Sequence, residues 1–275
     1  MSAPTAESYD LKKGQLFNLL LVTFASTVGF WAWTIVGPLA KYYAKPDQMH
    51  LNPGTTSLLV AMPIFIGAIG RIPIGGLTDK YGGRIMMSLV LAVSAPLVLL
   101  VGVAGSMKSF PLMLVFSFLL GIAGTVFAVG IPFSSAWYPP ARKGFATGVF
   151  GAGMVGTALS AFFTPRLMNL VGYMNTHYII AALCAVTAVI SFLFLRDSPA
   201  TANREVTPLM PKIIRAFKVK STWQLCFLYS VVFGGFVAFS NYLPTYLNNI
   251  YSFNPEDAGA RAAGFAAAAV VARPF

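Results

Sequence analysis

Eight long apolar runs leave this chain few ways to fold. They cover 15–39, 57–77, 86–105, 110–132, 145–167, 177–195, 222–246 and 258–275. Each is close to the roughly 20 residues that a helix needs to cross a bilayer. Backbone that faces lipid must satisfy its own hydrogen bonds, so the runs are expected to be helices. A membrane β-barrel would instead alternate polar and apolar residues in segments of about 10. Charge content agrees: Asp, Glu, Lys and Arg make up 10% of the residues, against about 25% in soluble domains. The expected fold class is an all-α polytopic membrane protein.

The charges between the runs give an orientation. With the N-terminus in the cytoplasm, the inner segments hold twelve cations: Lys12, Lys13, Lys80, Arg84, Arg142, Lys143, Arg196, Arg204, Lys212, Arg215, Lys218 and Lys220. The outer connections hold Lys41, Lys45 and Lys108, with Arg166 and Arg261 near helix ends. Basic loops stay on the cytoplasmic side. The chain therefore reads as a multi-pass protein of the cell (plasma or inner) membrane, with a cytoplasmic N-terminus and the lipid bilayer as its solvent. Residues 1–14 are polar and show no signal-peptide cleavage site. The net charge of +11 is spread over separate loops, so it is a topology signal and not a nucleic-acid footprint. Cys184 and Cys226 fall in apolar runs and read as small core residues without a redox or metal role. Metal-ligand clusters, nucleophile elbows and phosphate loops are absent from the sequence, so it implies no cofactor and no enzyme.

A polar segment, "RDSPATANREVTPLMPKIIRAFKVK" from Arg196 to Lys220, divides the chain. It suits a cytoplasmic linker with one short interfacial helix at 211–219. The expected organisation is a six-helix bundle over 1–195, the linker over 196–221, and the start of a second bundle over 222–275. The two parts resemble each other. "GFWAWTIVGP" (Gly29–Pro38) and "GFVAFSNYLP" (Gly235–Pro244) share Gly, Phe, Ala, an aromatic residue and Pro at the same offsets. Asn52-Pro53 precedes Arg71 by nineteen residues, and Asn254-Pro255 precedes Arg273 by nineteen. A proline lies just after each arginine, Pro73 and Pro274. Repeated order of this kind argues for a duplicated unit, and parallel repeats suit a two-bundle transporter of about twelve spans. This chain would carry the first eight.

Arg71 and Arg273 are the charges that need a reason. An arginine within a span costs about 2.5–3.5 kcal/mol on insertion scales. Snorkelling to the headgroups is one answer. The repeat offers another, two walls of one central cavity. The eight acids, Glu7, Asp10, Asp47, Asp79, Asp197, Glu205, Glu256 and Asp257, all lie outside the runs or at their edges. Neither guanidinium has a counter-ion in the bilayer, and neither can lose its proton. A small planar oxyanion between the two matches their donor forks; nitrate, nitrite and a monocarboxylate all fit. Aromatic residues line the same helices: Phe30, Trp31, Trp33, Phe127, Tyr229, Phe233 and Phe236. Glycines crowd the fourth and fifth runs, among them Gly121, Gly124, Gly130, Gly153 and Gly156. They allow close helix approach, and Gly153 and Gly156 would open room beside a substrate. In "GGLTDKYGGR", Asp79 is expected to meet Lys80, Arg84 or the N-terminus of a neighbouring helix and to latch the cytoplasmic side.

That loop resembles the signature between helices 2 and 3 of the major facilitator superfamily. With "GAIGRIP", "GFWAW", "GTVFAVG" and "FGGFVAFSNYLPTYL", the chain is similar over nearly its whole length to the nitrate/nitrite porters of that superfamily. The resemblance implies a secondary transporter of nitrate and/or nitrite working by alternating access. It implies that Arg71 and Arg273 clamp the ion, that Phe30 and Phe233 sandwich it, and that Tyr229, Gly124 and Phe127 line the pocket. The porters have a glycine-flanked asparagine on helix 5, and this chain has Met154 in its place. Methionine donates no hydrogen bond, so the choice among nitrate, nitrite and another small anion stays open. Such porters are similar either to exchangers or to proton-linked importers. The spans hold no carboxylate relay, and His50 and His177 are expected to be solvated at outer helix ends. Exchange is therefore favoured, with protons kept as a candidate co-substrate. The rivals are a facilitator for another small anion, such as a carboxylate, and a membrane anion sensor that never translocates.

Overall fold

The computed structural model describes residues 6–201 and 209–272, and the described residues are helical and contain no strand. The first crossing joins α1 (Ala6–Trp33) to α2 (Val36–Tyr43). Pro38 has no N–H for the Thr34 carbonyl, so Gly37 N donates to it instead at 3.3 Å and the helix is interrupted there. The second crossing is bent by 41° between α3 (Pro53–Ile69) and α4 (Arg71–Tyr81). Pro73 explains the bend, because its ring crowds the Ile69 carbonyl and leaves it without its usual donor. After Gly82 come α5 (Gly83–Ser106), α6 (Phe110–Leu120) and α7 (Val126–Ala136). A 3-10 turn, Gly121–Thr125, separates α6 from α7. Then follow α8 (Lys143–Gly151), a 3-10 turn over Ala152–Met154, α9 (Val155–Val171) and α10 (Tyr173–Phe194). The linker carries α11 (Leu209–Phe217), in agreement with the helix expected at 211–219. Beyond it, α12 (Lys220–Tyr229) continues through a π-helical turn, Ser230–Gly234, into α13 (Gly235–Tyr251), and α14 (Pro255–Val271) follows.

Six of these segments are long and apolar enough to cross a membrane, and the bent α3–α4 pair makes a seventh. The eighth apolar run corresponds to α14, described as 17 residues. The crossings run longer than the apolar runs suggested, for example Gly14–Tyr43 where 15–39 was expected. Their first and last turns are polar and lie beyond what hydropathy registers.

Contacts between helix ends define two poles. At one, Gln15 Nε2 donates to the Trp137 carbonyl at 2.7 Å, Arg196 N donates to Asn18 Oδ1 at 2.7 Å, and Trp137 Nε1 donates to the Arg196 carbonyl at 3.1 Å. This pole carries Lys80, Arg84, Arg142, Lys143 and Arg196, and is called the basic end below. At the opposite pole, the far end, the Tyr43 and Tyr173 hydroxyls lie 3.1 Å apart. Gly82 (φ 85) and Gly172 (φ 89) are the one-residue joints that reverse the chain between α4 and α5 and between α9 and α10. Both need the left-handed region that glycine occupies without strain.

The two Asn-Pro pairs form the same local structure. Asn52 accepts from Thr55 N at 2.8 Å and Asn254 accepts from Asp257 N at 2.8 Å, with proline at the first helical position each time. Each is a side-chain cap on orphan N–H groups, followed by a residue with no N–H to satisfy.

Two expectations are corrected here. His177 is not solvated: it is fully buried in the second turn of α10, its Nδ1 2.9 Å from the Tyr173 carbonyl and its ring against Gly102. The helix begins four residues before the apolar run does, which draws His177 inside. Cys184 is buried as expected, but Cys226 is exposed on α12 and is no core residue.

Candidate anion-binding site

Irregular helix geometry recurs at four of the segments that contribute to this site. Arg71 opens α4 at the bend, Gly124 lies in the Gly121–Thr125 turn, Met154 in the Ala152–Met154 turn, and Tyr229 and Phe233 flank or lie in the π-helical turn. Broken helices at mid-membrane are where transporters build binding sites, and π-turns concentrate at functional positions. Here the π-turn brings the Tyr229 and Phe233 rings into a stack, 4.8 Å between centroids at 10°.

Arg71 packs among aromatic rings. Its guanidinium carbon lies 4.7 Å from the Phe233 ring centroid, 5.3 Å from Phe127 and 6.0 Å from Trp33. Arg71 also hydrogen-bonds the Tyr229 hydroxyl. Cation–π contacts contribute about 0.5–2 kcal/mol each. Three of them offset much of the insertion cost of about 2.5–3.5 kcal/mol, yet they satisfy no N–H. Arg71 Nε is buried without a hydrogen-bond partner. Among the described residues no carboxylate pairs with Arg71.

The aromatic wall is continuous. Phe127 sits 5.4 Å from Phe233, 5.8 Å from Phe150 and 6.2 Å from Phe30, and Phe30 sits 5.7 Å from Trp33. Phe30 is fully buried, and Phe127 and Phe233 nearly so. These rings keep water out, and their edges carry partial positive charge. Arg71, Phe30, Phe127, Tyr229 and Phe233 are thus gathered in one place, from four separate stretches of chain.

Trp33 is the organiser that sequence reasoning undervalued. Its Nε1 donates to the Pro63 carbonyl at 2.8 Å, and its indole lies between two glycines. A Cβ on Gly67 would stand 2.6 Å from Nε1, and one on Gly124 would stand 2.5 Å from Cε2. Gly124 therefore admits the indole. Gly153 and Gly156 depart from expectation. A Cβ on Gly153 would come within 2.8 Å of the Thr23 carbonyl, and one on Gly156 would clash with the Thr27 carbonyl. They seat α9 and its preceding turn on α1 and open no room. Met154, between them, is fully buried. Of the other candidates, Trp31 turns away to donate to Thr164 Oγ1 at 3.0 Å, and Phe236 stacks on Phe265 at 6.0 Å. Arg273 lies outside the described residues.

The latch at the basic end has other partners than expected. Asp79 Oδ2 accepts from Lys212 Nζ of α11 at 2.7 Å. Arg84 Nε donates to the Phe192 carbonyl at 2.7 Å, and Lys80 sits over the Tyr81 ring at 5.0 Å. The acid on a neighbouring helix N-terminus is Asp197, which accepts from Gly83 N at 2.7 Å and Arg84 N at 3.2 Å. Glycine at 82 allows this approach, since a Cβ there would stand 2.6 Å from Asp197 Oδ2.

At the far end three hydrogen bonds join α13 and α14 to the first six crossings. Lys41 Nζ donates to Asn248 Oδ1 at 2.6 Å, Tyr242 hydroxyl to the Ser57 carbonyl at 2.9 Å, and Asn169 Nδ2 to Glu256 Oε1 at 2.7 Å. Gly259 approaches the Ala161 carbonyl too closely for any side chain. That carbonyl is the one Pro165 leaves without a helical donor. Toward the basic end, by contrast, every residue of α12 between Lys220 and Tyr229 is at least partly exposed.

Comparison with known proteins agrees with this architecture. The chain is 55% identical over 262 residues to a Mycobacterium tuberculosis protein named "Probable nitrate/nitrite transporter NarK2", covering 95% of this chain and 66% of that protein. It is 32% identical over 260 residues to the "Nitrite extrusion protein" of Bacillus subtilis strain 168, covering 94% and 64%. The chain thus spans about two thirds of the length of these relatives. Among solved structures, a bacterial homolog of the human lysosomal transporter Spinster, inward-facing and unoccupied, superposes with a TM-score of 0.71 at 21% identity, over 94% of this chain and 60% of that one. The family model of the Major Facilitator Superfamily matches residues 21–275. With a match over nearly the whole chain and the helical architecture described above, the chain belongs to the Major Facilitator Superfamily.

Proposed function

We propose that this chain belongs to a secondary transporter that carries nitrate and/or nitrite across the cell membrane by alternating access. Arg71 supplies one half of an anion clamp and Arg273 the other. The observation that carries this reading is the state of Arg71: a guanidinium held within a wall of aromatic rings, with no carboxylate beside it and a buried N–H without an acceptor among the described residues. A charged donor left unsatisfied in a dry site is costly. A small oxyanion would supply both the missing charge and the missing acceptor. The names of the similar proteins from M. tuberculosis and B. subtilis support nitrate and nitrite as the ions.

In this reading the basic end faces the cytoplasm, as the positive-inside rule requires, and the N-terminus with it. The far end, tied by Lys41–Asn248, Tyr242–Ser57 and Asn169–Glu256, is then closed to the outside. The glycine contacts between α1 and α9 keep the first six crossings rigid, so that movement takes place between them and the helices that follow the linker. The chain divides for this purpose at the linker, 196–221.

The test is anion exchange in proteoliposomes that hold the full-length protein. Labelled nitrite should enter vesicles preloaded with nitrate. Saturable binding without flux would refute transport and leave an anion sensor.

Met154 favours a second reading, a carrier for another small anion such as a carboxylate, because it puts a buried thioether where the resembling porters have an amide donor. Competition decides between the two. Uptake blocked by formate or oxalate and indifferent to nitrite would establish the second reading.

A further inference from the structure

One amphipathic surface is left unused by the anion site. In α11, Met210, Ile214 and Phe217 recur at helical spacing on one face, and they are 64%, 50% and 53% exposed. Lys212 and Arg215 stand on the opposite face, and Lys218 follows just past the end of the helix. Met210 and Ile214 face outward, and Phe217 is half covered. Two residues after α11 ends, α12 begins its crossing at Lys220. The corner is fixed by Trp223, whose ring lies 5.4 Å from Phe217 and whose Nε1 donates to the Phe217 carbonyl at 3.0 Å. Tryptophan favours the headgroup level of a bilayer. A helix tied this closely to the start of a crossing must lie at that level too, with its apolar face in the acyl boundary.

We propose that α11 binds anionic lipid headgroups, and that it does so in competition with Asp79. The stripe of Met210, Ile214 and Phe217 is immersed, and Lys212, Arg215 and Lys218 reach lipid phosphates. Lys212 has two alternative anions. In this structure its amine is on Asp79 at the end of α4, the helix that Arg71 opens. A partly exposed ion pair of this kind is weak, of the same order as the attraction of one lysine to an anionic surface. Anionic lipid therefore sets how tightly the linker is tied to α4. Zwitterionic lipid leaves the tie in place, and anionic lipid draws Lys212 away. A free phosphate would not engage the apolar stripe, which commits the surface to a lipid.

The experiment uses the full-length protein in nanodiscs of phosphatidylcholine with or without phosphatidylglycerol. No transported anion is involved, so its outcome is independent of the transport reading. A fluorophore on Ile214→Cys, in a Cys226→Ser background, should be quenched by lipids brominated near the headgroup. An unquenched probe would overturn the placement of α11. Phosphatidylglycerol retained on the protein, counted by native mass spectrometry, should fall in the Lys212→Gln, Arg215→Gln, Lys218→Gln variant. The expected loss of preference is about fivefold per cation removed. Retention equal to that of the unmodified protein would overturn the proposal. Asp79→Asn releases Lys212 and should raise retention; a variant that retains no more than the unmodified protein would refute the competition.

Discussion

Gly124→Ala gives the sharpest test of how the site is built. The new methyl would stand 2.5 Å from Trp33 Cε2 and 2.7 Å from both Cδ2 and Nε1. These are atoms of a rigid double ring and not the end of a flexible chain. Gly67 blocks retreat on the other side, where its own Cα faces the same indole. Trp33 must therefore rotate, which breaks its hydrogen bond to the Pro63 carbonyl and removes one ring from beside Arg71. Overpacking costs about 1–3 kcal/mol, and an unmade buried hydrogen bond costs about 1–3 kcal/mol more. The substitution should thus destabilise the protein by about 2–6 kcal/mol. Thermal unfolding of the full-length protein in detergent, followed by a thiol-reactive dye, reads this as a lower midpoint. The decisive arm is Trp33→Phe. By itself it loses the hydrogen bond, but combined with Gly124→Ala it removes the steric conflict. The double variant should be more stable than the two single effects predict, by about 1–2 kcal/mol. Strict additivity, or a Gly124→Ala protein as stable as its parent, would refute the argument that Gly124 exists to admit Trp33.

Two further outcomes follow from the ends of the molecule. Asp197→Ala removes an acceptor from the first two N–H groups of α5 and should cost about 1–2 kcal/mol; Asp197→Asn keeps an acceptor and should recover part of it in the same unfolding assay. Asn248→Leu deprives Lys41 of its acceptor at the far end, and should increase the labelling rate of a cysteine placed at Ser57 by a water-soluble maleimide; an unchanged rate would mean that the far-end hydrogen bonds do not hold that end closed.

The sequence made the class of fold legible because lipid imposes one strong rule, and the eight apolar runs obey it. Arg71 was legible for the same reason, as a costly residue in a place where cost is easy to see. The aromatic residues that surround it were recognisable as a group, but their individual directions were not. Trp31 and Trp33 are two positions apart on one helix and face different neighbours, Thr164 and the Pro63 carbonyl. The pairs at the basic end were out of reach for another reason. Lys212–Asp79 spans 133 residues and Asp197–Gly83 spans 114, so local pattern carried no sign of either. His177 was misplaced because hydropathy starts counting at the first apolar residue, whereas the helix starts at Tyr173, just after the backbone turns at Gly172. The glycines at 153 and 156 could be recognised as contact residues, but the sequence did not tell a gap from a close approach of backbones.

The central claim is that Arg71 holds an oxyanion with the fork of its guanidinium. Arg71→Lys in the full-length protein tests it most directly, because the charge is kept and the planar pair of donors is lost. The account predicts normal membrane insertion with nitrate and nitrite exchange reduced at least about tenfold, as expected when a charge-assisted hydrogen bond worth about 1.5–3 kcal/mol is removed. Exchange at the unmodified rate and affinity would contradict it.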